Sequence, residues 1–126
     1  IIAVDLQPRM LAGLRRRARR KRLADRIEAR LATSSDLGLS DLAGVADLVV
    51  AIHVIHEVPD AAGFLGQLRG VLREGGRLLI VEPPGHVSAA EFAATCALAC
   101  TNGFRALEPP QFGAEHVALL ATATPG

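Results

Sequence analysis

Three apolar runs in this 126-residue chain end on residues that can do chemistry. The first, IIAVD, closes on Asp5. A carboxylate just past a buried strand can accept two hydrogen bonds from the vicinal hydroxyls of a ribose. It can equally accept from the open N–H groups of a following helix. Both uses stay open for Asp5 on residue type alone. The second run, ADLVVAIHVIHEV, carries His53 and His56 at its end, with Glu57 next. The third, RLLIVEPPGHVS, gives Glu82 and, four residues on, His86. An imidazole titrates near neutrality and can take a proton from a reacting group or anchor a substrate. Each of the three histidines also has a plainer reading: His53 on the rim of a site, His56 hydrogen-bonded within the fold, His86 in a solvated loop.

Other clusters argue for less. His53, His56 and His86 with Glu57 and Glu82 lack the paired-ligand spacing of a metal site, so no metal is expected. Cys96 and Cys100 lie one helical turn apart, beside Phe92 and Ala99, and read as small residues packed on one helix face. They are no disulfide framework. The run RRRARRKR, Arg15–Arg22, concentrates the basic charge: ten of the 14 Lys and Arg fall in residues 1–30 against three acids, although the whole chain is only +1. Without interleaved aromatics such a run is a weak nucleic-acid footprint, and a solvated helix face is the favoured reading.

The elements that must position these residues alternate. IIAVD reads as a buried strand. QPRMLAGLRRRARRKRLAD reads as a helix, with Pro8 in its first turn and Met10, Leu11, Leu14 and Ala18 on one face. Arg26–Ala32 is a second strand, followed by a loop over TSSDLGLSDLAG with one helical turn. Ala46–Val54 is apolar on both faces, as in a central parallel strand. A helix begins near Asp60 and is stopped by Gly75-Gly76. Arg77–Glu82 is another buried strand. Ser88 is the expected N-cap of AAEFAATCALACTN, with Glu91 completing a capping box, and Gly103 ends that helix. FRALEPPQFGAEHVALLATA then gives two strands in an antiparallel hairpin. Alternation of this kind predicts an α/β domain with a mostly parallel sheet and helices on both faces.

Composition sets the frame. Half the residues are apolar, with no Trp or Tyr and four Phe, so the core is built from Leu, Val, Ile and Ala. No run reaches the roughly 18 apolar residues of a membrane span, and the N-terminus lacks a signal peptide's pattern. A single domain over 1–126, soluble and cytoplasmic, is expected.

In four stretches the sequence resembles the class I S-adenosylmethionine-dependent methyltransferases: VDLQPRML, ADLVVAIHVIHEV, LREGGRLLIVEP and the closing hairpin. The resemblance implies a Rossmann-like methyltransferase sheet, mostly parallel with a C-terminal antiparallel hairpin. It implies S-adenosylmethionine as cofactor and a small-molecule acceptor. It gives Asp5 the cofactor ribose, places Leu6 and Met10 near the nucleoside, and sets Ala51, Ile52 and His53 at the methionine end. On this reading His53 and His86 face the acceptor, and His56 matches a family histidine that is hydrogen-bonded within the fold. Thr33 and Ser34 stand where many members carry an acid for the adenine amino group; Asp36 is the runner-up.

The family's first strand and Gly-rich turn have no counterpart here, and no GxGxG occurs. The chain is therefore expected to be a fragment that begins at the family's second strand. Two rivals remain. A nicotinamide-dependent oxidoreductase also uses a ribose-binding acid at a strand end, but the closing hairpin and the lack of a Tyr-Lys pair oppose it. The other is a non-catalytic methyltransferase-like domain that binds RNA or a protein partner through the Arg-rich helix.

Overall fold

The computed structural model describes residues 1–123. The chain divides into two compact units, Ile1–Gly38 and the part from Leu39 onward.

In the first unit, strands β1 (Ile2–Asp5) and β2 (Glu28–Leu31) pair in parallel, from Ile2 beside Glu28 to Asp5 beside Leu31. Helix α1 (Pro8–Arg20) connects them. It buries Leu11 and Ala18, as the spacing predicts, whereas Met10 is 53% exposed and lies outside that core. The helix stops five residues earlier than expected. Arg22 adopts φ +58°, the Arg22 N–H donates to the Arg19 carbonyl at 3.1 Å, and the Leu23 N–H donates to that of Ala18 at 2.8 Å. This is the left-handed closure usually built on glycine, with an arginine in its place. Arg17, Arg19 and Arg20 in the last turn face the negative end of the helix dipole. A 3-10 turn, Ala24–Arg26, takes up the remaining residues and shortens the second strand at its start.

The second unit holds a four-stranded sheet in the order β3-β4-β6-β5. Strand β3 (Ala46–Ile52) and strand β4 (Leu72–Glu82) are parallel, joined through helix α2 (Ala61–Val71). Helix α3 (Ala89–Thr101) then leads to β5 (Phe104–Leu107) and β6 (His116–Thr122), the predicted antiparallel hairpin; β6 also runs antiparallel to β4. Leu65, Leu78, Ile80 and Leu120 fill the core, each at most 1% exposed. The Asp60 side chain caps α2 through the Gly63 N–H, and Ser88 and Glu91 form the expected capping box.

Two expectations are corrected. Gly75-Gly76 does not stop α2, which ends at Val71. The pair sits in an irregularity of β4, where Ala46 pairs with Leu72 but Leu48 pairs with Arg77. Gly75 takes φ +75° there, and its N–H donates to the Thr122 hydroxyl at 2.8 Å. That buried hydroxyl donates in turn to the Arg73 carbonyl at 3.2 Å. Nor is β3 covered on both faces. It is an edge of its sheet, with Leu48, Val50 and Ile52 exposed on one face. Apolar composition alone does not distinguish an edge from a centre.

Candidate functional site

In the first unit the C-terminal end of β1 presents Asp5. Its Oδ1 accepts from the Gln7 N–H at 2.8 Å, so the carboxylate does steady the chain entering α1. Its other oxygen takes no donor from the described residues. Leu6 and Met10 beside it are 54% and 53% exposed, two apolar side chains uncovered next to an acid. Leu31, the parallel partner of Asp5, is exposed as well.

Thr33 and Ser34 follow β2 in an exposed turn. The Thr33 hydroxyl accepts from the Asp36 N–H at 3.1 Å and donates to the Asp36 carbonyl at 3.3 Å. Asp36 Oδ1 accepts from the Gly38 N–H at 2.8 Å. These polar groups hold the loop's own shape.

In the second unit the ends of β3 and β4 and the start of β6 gather His53, His56, Glu82, His86, Glu115 and His116. Ala51 is buried, and Ile52 is half exposed. His53 ends β3 two residues earlier than expected because its φ is +56°. A left-handed histidine costs on the order of 1–3 kcal/mol and persists only where the surroundings fix it. They do: its N–H donates to the Val81 carbonyl at 2.8 Å, and its Nε2 lies 3.1 Å from Glu115 Oε1. A carboxylate only accepts, so Nε2 carries the proton and Nδ1 is the open acceptor of the neutral ring. The His53 side chain is 45% exposed.

His56 is held differently. The buried Glu82 carboxylate accepts from the Ile55 N–H at 3.1 Å, the His56 N–H at 3.3 Å and His56 Nδ1 at 2.6 Å. It thereby ties the 3-10 turn Ile55–Glu57 to the end of β4. His86 is exposed in the turn after β4 and stacks on His56, with ring centroids 6.0 Å apart. His116 donates to the Val87 carbonyl at 2.8 Å and stacks on Phe92. Among the described residues, no three His, Cys, Asp or Glu are grouped to hold a metal ion. Cys96 is half-buried, and burial pushes its thiol up, with Cys100 adding to the effect. Cys100 is exposed, against the expectation that both pack inside.

Sequence reasoning passed over Glu115 and gave Glu82 no partner. Glu82 carried a signal, an acid terminating a buried strand. Glu115 carried only its place before β6, within a loop whose path no local pattern specifies.

Comparison with known proteins bears on this arrangement. Residues 1–80 match the family described as a methyltransferase domain. The fold is similar to that of a SAM-dependent methyltransferase from Aquifex aeolicus, with TM-score 0.80 and 17% identity over 98% of this chain and 68% of that one. It is similar to the trans-methyltransferase CalH in complex with SAH, with TM-score 0.72 and 21% identity over 97% and 42%. It is also similar to the [4+2]-cyclase SpnF, with TM-score 0.74 and 16% identity over 87% and 45%. A stretch of 39 residues is 46% identical to the highly reducing polyketide synthase otaA of Aspergillus carbonarius (strain ITEM 5010), covering 31% of this chain and 2% of the synthase. The chain thus spans less than half of SpnF and a small part of the synthase.

Proposed function

The chain belongs to the methyltransferase-domain family, and on that premise we propose that it serves methyl transfer from S-adenosylmethionine to a small-molecule acceptor. A fold alone does not fix a reaction, and one protein of similar fold is named for a cyclisation. The reading rests on the Asp5 cluster: a carboxylate with one oxygen unengaged, flanked by exposed Leu6 and Met10. These residues fit the nucleoside end of the cofactor. The carboxylate accepts from ribose hydroxyls, and the two apolar side chains cover the flat base. Asp36 and Thr33 are turned toward their own loop, which leaves the Ser34 N–H as the nearer candidate for the ring.

The cofactor, when bound, supplies an electrophilic methyl group on a positively charged sulfur. What the chain adds is position. Holding a nucleophile on the line of displacement removes much of the entropic barrier. His53, His86 and His56 are the candidates to meet the acceptor, and they differ in freedom. His56 is tied to Glu82, His86 is exposed, and His53 sits at a strained backbone position with its ring held by Glu115 and one nitrogen open.

The test is calorimetry with S-adenosylmethionine on the whole chain and two variants. Asp5→Asn keeps an oxygen for the Gln7 N–H but loses the charge. Asp5→Ala loses both. If Asp5 clamps the ribose, both variants bind at least tenfold more weakly than the parent, since each charge-assisted bond is worth about 1.5–3 kcal/mol. Equal affinity of Asp5→Asn and the parent would leave Asp5 as a cap only.

A further inference from the structure

We infer that Glu115 is a positioning residue for His53, and that the pair takes the proton from an acceptor whose nucleophile is an O–H or N–H group. The inference rests on the methyl-transfer reading above. Three observations in the second unit carry it. His53 stands at φ +56° at the end of β3, held there by its own N–H donating to the Val81 carbonyl at 2.8 Å. Glu115 Oε1 lies 3.1 Å from Nε2, so Nδ1, on the other side of a half-exposed ring, is the unprotonated nitrogen. Glu115 Oε2 is buried with no hydrogen-bond partner among the described residues.

The unpartnered Glu115 Oε2 decides the direction of the effect. A buried carboxylate oxygen without a donor is unfavourable, and the bond to His53 is the compensation this side chain has. The carboxylate therefore gains when the ring becomes an imidazolium, and that gain arrives as Nδ1 receives a proton. This is the logic by which a carboxylate orients an imidazole and stabilises its charged form without itself taking the proton. Glu115 comes from the β5–β6 connection and His53 from the end of β3, so the hairpin reaches across to set the ring.

The acceptor's X–H bond breaks and its proton passes to His53 Nδ1. The electron pair left on X forms the new X–CH3 bond. The old bond from that carbon to sulfur breaks with its pair remaining on sulfur, and Nδ1 later releases the proton to water. A nucleophile without a proton to lose has no use for the pair.

The test uses the whole chain with 15N-labelled histidine, and calorimetry for S-adenosylmethionine affinity. The neutral His53 ring should show the signature of the Nε2-protonated tautomer. Glu115→Gln, which keeps an accepting oxygen, should preserve it, and Glu115→Ala should lose it. Phenol and benzylamine, the hydroxyl and amine probes, should shift the His53 ring signals saturably; toluene, of the same shape without a donor, should not. Glu115→Ala should weaken the responding probe at least tenfold and leave cofactor affinity within about twofold. An unchanged tautomer in Glu115→Ala, no response to either protic probe, or an equal response to toluene would overturn the inference. Failure of the parent chain to bind S-adenosylmethionine would instead overturn the methyl-transfer reading, whatever the histidine spectra show.

Discussion

Glu82 and His56 are locked together: Nδ1 of His56 donates to the carboxylate at 2.6 Å, and the same carboxylate takes the N–H groups of Ile55 and His56. Glu82 is 2% exposed. It is a buried acid whose two oxygens both accept from one short turn.

Glu82→Ala strands two backbone donors and an imidazole in a covered site, which should cost about 3 kcal/mol. His56→Ala removes one donor and leaves two, so it should cost about half as much. Urea unfolding of the two variants and the double variant gives the coupling between them. A loss below about 0.5 kcal/mol for Glu82→Ala would mean the carboxylate's bonds are replaced by water.

Two glycines separate space from conformation. A Cβ on Gly76 would lie 2.8 Å from the Arg73 carbonyl oxygen and 3.2 Å from that of Ala46. Both are backbone atoms that cannot swing away, so Gly76→Ala should destabilise by about 1–3 kcal/mol. Gly66, inside α2, meets nothing within 4 Å. Gly66→Ala should stabilise by about 0.5–1 kcal/mol through helix propensity. Denaturant midpoints that move the same way for both would contradict this account of β4.

The capping box of α3 predicts a pH dependence. Ser88, through its N–H and hydroxyl, holds the Glu91 carboxyl below its usual value of 4.5. A depressed acid contributes stability that is present above the unfolded value and is lost as pH falls through the folded one. Glu91→Gln should therefore flatten the stability profile below about pH 4.5 and leave the profile above it parallel to the parent's. Ser88→Ala should lower stability by about 1 kcal/mol at neutral pH. Thermal unfolding across pH 3–7 reads both.

The sequence made the alternation of elements legible because apolar runs, caps and turn glycines are local signals. Ser88 and Glu91 occupy the cap positions expected of them, and Asp60, where a helix was expected to begin, is the N-cap of α2. Where residues reverse at a left-handed angle, the local signal is silent. Arg22 and His53 adopt positive φ without being glycine, and each shortens its element. The Gly75-Gly76 pair looked like a helix stop because the same residues serve a stop and a bulge. The site was legible on strand ends, where an acid or a histidine breaks an apolar run. It was not legible at Glu115, whose partner His53 lies 62 residues earlier. Only the hairpin's path brings them together.

Strand β3 has β4 as its partner on one side, and on the other side the described residues offer it none. Leu48, Val50 and Ile52 alternate along it and are 55%, 49% and 52% exposed. An apolar strand with unpaired N–H and C=O groups is a template for another chain. Residues that natural edges use to prevent this, such as a lysine or proline, are absent from Ala46–Ile52, where Asp47 is the one charge. The whole chain should therefore self-associate in a concentration-dependent way, with Val50→Lys reducing it and Asp47→Ala increasing it. Sedimentation velocity over a hundredfold range of concentration reads the difference, and circular dichroism confirms that Val50→Lys keeps its helix content. A parent chain that stays monomeric across that range would show that this edge is protected in solution.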